Sequence, residues 1–192
     1  PLLMEKIIQP SINSKQENIQ SLISSYSKSL VSLAHSDERI VVLDADLMID
    51  TGLLQFSNEF KDRFFECGIA EQDMVSQAGG LSLSGLLPIV HSFSCFLSTR
   101  ANEQIYNNST EKTKIIYVGS LSGILPAGPG HSHQSLRDIS LFGSVPNLTM
   151  IEPSTEQEVQ EALNWAINKN NHSTFIRLVS IPWPISFNAS NN

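Results

Sequence analysis

Arg63-Phe64-Phe65-Glu66-Cys67-Gly68-Ile69-Ala70-Glu71-Gln72 runs from two aromatic residues through a glycine to an acid. Phe64 to Cys67 reads as a short strand and Gly68 as a turn. Asp73-Met74-Val75-Ser76-Gln77-Ala78-Gly79-Gly80-Leu81 then reads as a helix with small residues on one face. A strand passing through a tight turn into a helix is the repeating step of an α/β sheet. Glu71 falls at that junction, a common place for a catalytic group carried on a rigid scaffold. On spacing alone the better reading is an ordinary first-turn acid favoured by the helix dipole.

Reading outward, the same step recurs. Ile19, Leu22, Ile23, Tyr26, Leu30, Leu33 and Ala34 keep helical spacing, which predicts a helix over 14–34 capped at Asn13 or Ser14 with Glu17. Ile40-Val41-Val42-Leu43-Asp44 is a continuous apolar strand, as in a sheet covered on both faces. Leu86 to His91, Lys114 to Val118, Leu148 to Ile151 and Thr174 to Leu178 are further strands, with Pro88 near the start of its own. Helices are predicted from Glu71 to near Gly85, over 94–108, over Leu136 to Phe142, and from a cap at Ser154 to about Asn168. Gly119 to His133 is a loop rich in Gly, Ser and Pro. The alternation predicts an α/β fold, a three-layer α/β/α domain with a mostly parallel sheet. Residues 1–36 read as an N-terminal extension and first helix, 37–182 as the main domain, and 183–192 as a frayed polar tail. In such a sheet the loops after the strands share one edge. Asp44 to Asp46, Glu71, His91 to Phe96 and Gly119 to His133 are therefore expected together.

The 192 residues suit one domain of generous size, and 41% hydrophobic content supports a full core. Twelve Lys and Arg against nineteen Asp and Glu give a net charge of -7, which argues against nucleic acid as a partner. No apolar run reaches a membrane span, and no signal peptide is visible at Pro1-Leu2-Leu3-Met4. The absent initiator Met suggests a trimmed chain or a piece of a longer one. Cys67 and Cys95 lie in apolar contexts and read as reduced thiols of a cytoplasmic protein.

Three further stretches carry chemistry. His91-Ser92-Phe93-Ser94-Cys95-Phe96-Leu97-Ser98-Thr99-Arg100-Ala101-Asn102-Glu103-Gln104 holds two Phe residues three apart, either a helix's core face or an aromatic wall. Gly128-Pro129-Gly130-His131-Ser132-His133-Gln134 contains a His-x-His pair, but no third ligand sits nearby, so no metal site is expected. Asp46 and Arg177 have simple structural explanations, a loop cap and a strand-end ion pair.

Gly68-Ile69-Ala70-Glu71-Gln72 resembles the pyrimidine-binding domain of transketolases and deoxyxylulose-phosphate synthases. The resemblance extends over about residues 40–180. It includes Phe93 and Phe96, His133-Gln134, and Ser144-Val145-Pro146-Asn147-Leu148-Thr149-Met150-Ile151-Glu152-Pro153-Ser154. It implies that Glu71 hydrogen-bonds a ring nitrogen of the aminopyrimidine of thiamine diphosphate, and that Phe93 and Phe96 wall that ring. It implies Asp46 near the thiazolium, His133 near the reacting carbon in substrate binding or proton transfer, and Arg177 as an anion contact. The activity implied is transfer of a two-carbon ketol unit between sugars, carried by the cofactor. Related alternatives are a deoxyxylulose-phosphate synthase-like component, a 2-oxo-acid dehydrogenase beta subunit, and a non-catalytic assembly module of the same fold. The first Arg of a family pair is Thr99 here. A sugar-facing Asp falls on Pro129, and a channel His falls on Leu121, so an unusual sugar substrate is expected. The chain contains no Gly-Asp-Gly, which in this family holds magnesium and diphosphate. A partner chain or domain carrying that motif is therefore implied. A homodimer is implied too, because an isolated domain is expected to leave an apolar face and the Phe93/Phe96 wall exposed.

Overall fold

Every residue of Ile40–Asp44 and of Leu87–Phe93 is buried, as strands covered on both faces require. The computed structural model describes residues 19–184. In chain order the elements are β1 (Ile19–Gln20), α1 (Leu22–Ser36), β2 (Ile40–Asp44), α2 (Leu54–Glu59), a 3-10 turn (Lys61–Arg63), β3 (Phe64–Glu66), α3 (Glu71–Leu83) and β4 (Leu87–Phe93). Then come α4 (Ser94–Arg100), α5 (Asn102–Thr110), β5 (Ile116–Ser120), α6 (Asp138–Phe142), β6 (Leu148–Ile151), α7 (Glu156–Asn168), β7 (Ser173–Arg177) and β8 (Trp183–Pro184).

Six strands form one sheet in the order β3-β2-β4-β5-β7-β6, and every pairing in it is parallel. Two cores result. Leu22, Tyr26 and Leu30 of α1 and Val159, Leu163 and Ala166 of α7 pack on one face. Met74, Val75 and Ala78 of α3 pack on the other face with Leu97, Ile105 and Phe142. This is the expected three-layer arrangement. The first helix, set apart at residue 36 in the sequence reading, belongs to the same core as the sheet.

Several boundaries differ from expectation. The proposed cap at Asn13 or Ser14 lies outside the described residues. Helix α1 starts at Leu22, where Ser21 Oγ accepts from the Ser24 amide, and Ile19–Gln20 is extended rather than helical. It pairs antiparallel with Trp183–Pro184, so the start of the predicted tail is paired. Strand β4 continues to Phe93. The helix expected over 94–108 is two helices, broken at Ala101, a fully buried residue. The break turns α5 so that Asn108 Nδ2 donates to the Val75 carbonyl of α3. Gly79 serves the same contact, because a Cβ there would overlap Asn108. The α7 cap is Thr155 rather than Ser154, closed reciprocally by Glu158.

The chain leaves β2 toward β3 on one side and leaves β4 toward β5 on the other. That divergence opens a crevice at the carboxyl ends of β2 and β4, the usual ligand position in open α/β sheets.

Candidate active site at the carboxyl edge of the sheet

Glu71 is the first residue of α3, delivered by the Gly68 turn, whose φ of +68° suits a residue without Cβ. Glu66, at the end of β3, fixes that turn. Its Oε1 accepts from the Gly68 amide at 2.8 Å and from the Asp46 amide at 2.9 Å, tying the β2 and β3 loops together. The Glu71 side chain is only 5% exposed. Arg100 Nη1 donates to its Oε1 at 2.5 Å, and Oε2 has no hydrogen-bond partner among the described residues. The Arg100 guanidinium also lies over the Phe96 ring, with Cζ 3.7 Å from the centroid. That spacing is a cation–π contact.

Phe93 closes β4 and Phe96 lies in the first turn of α4, with ring centroids 5.5 Å apart. His133 meets both rings edge-on, at 5.2 Å from Phe96 and 5.9 Å from Phe93. Its Nδ1 is 3.0 Å from Ser132 Oγ, which leaves Nε2 for a further partner. Glu71, Phe93, Phe96 and His133, predicted from distant segments, are thus brought into one cluster linked through Arg100. The aromatic wall is not bare, however. Phe93 is 7% exposed, and Phe96 is half-buried beneath Arg100. An open cavity of about 510 Å³ adjoins this cluster, lined by Ile69, Glu71, Thr99 and Arg100 among others.

Asp46 stands on the same edge with a left-handed backbone (φ 60°). Its side chain is exposed and takes no part in the cluster. Arg177 does not offer a free cation. It donates through Nε to Asp138 Oδ2 at 2.7 Å and through Nη2 to the Ser135 carbonyl at 3.1 Å, and it pairs with Glu152. This is the strand-end ion pair that the sequence also allowed, and it occupies the guanidinium that the resemblance assigns to an anion contact.

Two residues that the sequence placed at the strand exits, Asp44 and His91, are buried beneath the crevice, and no role was assigned to them. Asp44 ends β2 with its side chain fully buried, accepting from the Leu47 amide at 2.6 Å and the Thr51 hydroxyl at 3.2 Å. Burial, aided by the neighbouring Glu66 charge, raises its pKa to about 7. His91 is not at the edge but inside the sheet. Its Nδ1 donates to the Leu43 carbonyl at 3.3 Å, and its Nε2 accepts from Tyr26 Oη at 2.5 Å. Burial lowers its pKa to about 3, which fits this neutral tautomer. The role of Arg100 was also missed. Its spacing of four from Phe96 on one helix is the signal that reveals it.

A buried acceptor at a strand-to-helix junction, facing an aromatic wall at the switch point of a parallel sheet, defines an α/β cofactor-binding domain. The family described as transketolase, pyrimidine binding domain, matches residues 20–180. The chain belongs to that family, the pyrimidine-binding domain of thiamine diphosphate-dependent enzymes. It is 36% identical over 141 residues to the 1-deoxy-D-xylulose-5-phosphate synthase of Clostridium kluyveri, which covers 73% of this chain and 22% of that protein. It is 35% identical over 156 residues to the enzyme of the same name from Natranaerobius thermophilus, covering 81% and 25%. The chain thus spans about a quarter of the length of these relatives. Among solved structures, a split gene transketolase described as an inactive beta4 tetramer superposes with a TM-score of 0.76 at 31% identity, covering 88% of this chain and 54% of that one. Transketolase from Campylobacter jejuni superposes at 0.82 with 20% identity, covering 100% and 31%, which shows the fold.

Proposed function

We propose that the chain is the pyrimidine-binding component of a thiamine diphosphate-dependent transketolase that moves a two-carbon ketol unit between sugars. One observation carries this reading: a planar cation, the Arg100 guanidinium, is held between the Glu71 carboxylate and the Phe96 ring face. The acceptor and the ring face therefore fit an aminopyrimidine, which is also planar and needs one acceptor and one stacking surface. Glu71 would hold a proton at the pyrimidine ring nitrogen, and Phe93 and Phe96 would stack on the ring and exclude water. His133 Nε2 would bind or move a proton at the substrate. When bound, the cofactor supplies the carbanion chemistry.

Diphosphate and Mg2+ would be held by a partner chain or domain carrying Gly-Asp-Gly, absent from this sequence. A homodimer around that partner is the assembly we propose. The related split gene transketolase, inactive as a beta4 tetramer, supports a need for a second component. Cys67 and Cys95 are free thiols, in keeping with a cytoplasmic enzyme. Among the described residues no helix is long and apolar enough to cross a membrane.

A second reading has its own support, because the curated relatives cited above are 1-deoxy-D-xylulose-5-phosphate synthases. A 1-deoxyketose ends in a methyl group, so its two-carbon unit comes from a 2-oxo acid rather than a ketose. The test is reconstitution with a Gly-Asp-Gly chain. Turnover of xylulose 5-phosphate is compared with that of other ketoses and with formation of a 1-deoxyketose from a 2-oxo acid. Ketol transfer is expected, with Leu121 and Pro129 shifting the preferred sugar away from xylulose 5-phosphate. Formation of the deoxyketose alone selects the second reading. In either case Glu71→Gln is expected to cut turnover about a hundredfold or more. Unchanged turnover would remove the catalytic assignment of Glu71 and favour an assembly role for this chain beside a partner that carries the chemistry.

A further inference from the structure

We infer that Arg100 is a built-in stand-in for the cofactor's pyrimidine, one that keeps the pocket closed until the pyrimidine ring displaces it. The inference rests on the functional reading above and deepens it.

The guanidinium makes the two contacts that an aminopyrimidine at this site would make. It is planar and lies 3.7 Å over Phe96, so no second ring fits between them. It donates to Glu71 Oε1 at 2.5 Å, using the acceptor that would face the ligand. A pocket with an unpaired, nearly buried carboxylate beside a bare aromatic face would be costly in a domain without ligand. Arg100 removes both costs. It neutralises Glu71, and it covers the ring that the sequence alone would leave exposed.

The geometry also shows how the stand-in leaves. Glu71 is 5% exposed, whereas Arg100 is 43% exposed. Only the arginine can swing into water while its partner stays in place. The adjoining cavity of about 510 Å³ gives it room, with Thr99 and Ile69 on its walls. Arg100 is the last residue of α4, and the break at Ala101 follows, so its side chain projects from a helix end rather than from a packed face. Its charge comes off the pocket as the ligand enters. Ligand affinity at this site is thus reduced by the work of parting Arg100 from Glu71 and Phe96.

The measurement is binding of 4-amino-5-hydroxymethyl-2-methylpyrimidine, the pyrimidine half of the cofactor, to this chain by calorimetry. That probe has no diphosphate and needs no partner domain. Arg100→Ala is expected to bind it about tenfold more tightly than the wild type. Arg100→Met, which keeps an apolar stem over Phe96, is expected to fall between them. Glu71→Gln in the Arg100→Ala background is expected to lose the gain. Equal or weaker binding by both Arg100 variants, with measurable binding by the wild type, overturns the stand-in and leaves the cofactor assignment in place. Absence of binding by every variant overturns both. A crystal structure of the wild type with the probe, showing Arg100 still on Phe96, also overturns the stand-in.

Discussion

Two arginines mark two regions of the same sheet edge, and they are held in opposite ways. Arg177, at the end of β7, is 12% exposed and held by Asp138, Glu152 and the Ser135 carbonyl. Arg100, at the end of α4, has one carboxylate and one ring, and nearly half of it faces water. The rim at β6 and β7 is closed by a network in which each guanidinium nitrogen of the arginine has an acceptor. The crevice at β2 and β4 is covered by one arginine with two contacts, Glu71 and the Phe96 ring. A charge can be functionally available only where its removal leaves a structure behind, and the proposal above requires this of Arg100 and not of Arg177.

Unfolding measurements on single variants test this contrast. The largest effect is expected for Arg177→Met. It strands Asp138, whose side chain is fully buried and whose Oδ1 already lacks a partner. Breaking one side of such a pair costs about 3–5 kcal/mol, read as a lower urea midpoint. A loss below about 2 kcal/mol would place the two arginines in the same class.

The second effect is a pH dependence set beneath the crevice. Asp44 binds a proton in the folded state up to about pH 7, against an ordinary value of 3.8. Between those values the folded protein holds the extra proton, so this group makes stability fall as pH rises. His91 has the reverse sign. Unfolded His takes a proton below 6.5, while the folded ring resists it down to about 3, so stability rises with pH across that window. From about pH 4 to 6.5 the two slopes nearly cancel. Asp44→Asn is expected to unmask the His91 slope, at most about 1.4 kcal/mol per pH unit relative to wild type. Parallel stability curves for variant and wild type would show that Asp44 is ionised throughout.

A smaller loss, about 1–2 kcal/mol, is expected for Tyr26→Phe in thermal or urea unfolding. It leaves His91 Nε2 an unsatisfied buried acceptor. Also smaller than for Arg177→Met, about 1–2 kcal/mol, is the loss expected for Arg100→Met: it leaves Glu71 unpaired, but the pair borders the open cavity, so water reaches the carboxylate once the guanidinium is gone. If Arg100→Met proves as damaging as Arg177→Met, Arg100 is a structural staple and its displacement by a ligand is excluded.

Much of the fold was legible because a parallel sheet buried on both faces writes itself as apolar runs. Ile40 to Leu43 and Ile115 to Val118 could hardly be anything else. The convergence of Glu71, Phe93, Phe96 and His133 followed from the strand order, since parallel strands put all their exits on one edge. What escaped was set by long-range contacts. Ile19–Gln20 becomes a strand only because Trp183–Pro184 lies beside it, and no local signal says so. The break at Ala101 occurs at a good helix former, which a periodicity reading passes over. An ion pair was expected for Arg177, but its carboxylate partners, Asp138 and Glu152, could not be named because they lie in other segments. The same distance in sequence hid the pairing of Arg100 with Glu71.

The small antiparallel ribbon of β1 and β8 has a consequence of another kind. It brings residues 19 and 184 to one corner of the fold, so the domain enters and leaves through a single doorway. A unit wired in this way can be spliced into, or lifted out of, a longer polypeptide without rearranging its sheet. The ribbon thus makes this architecture portable, a cassette whose two leads already lie side by side.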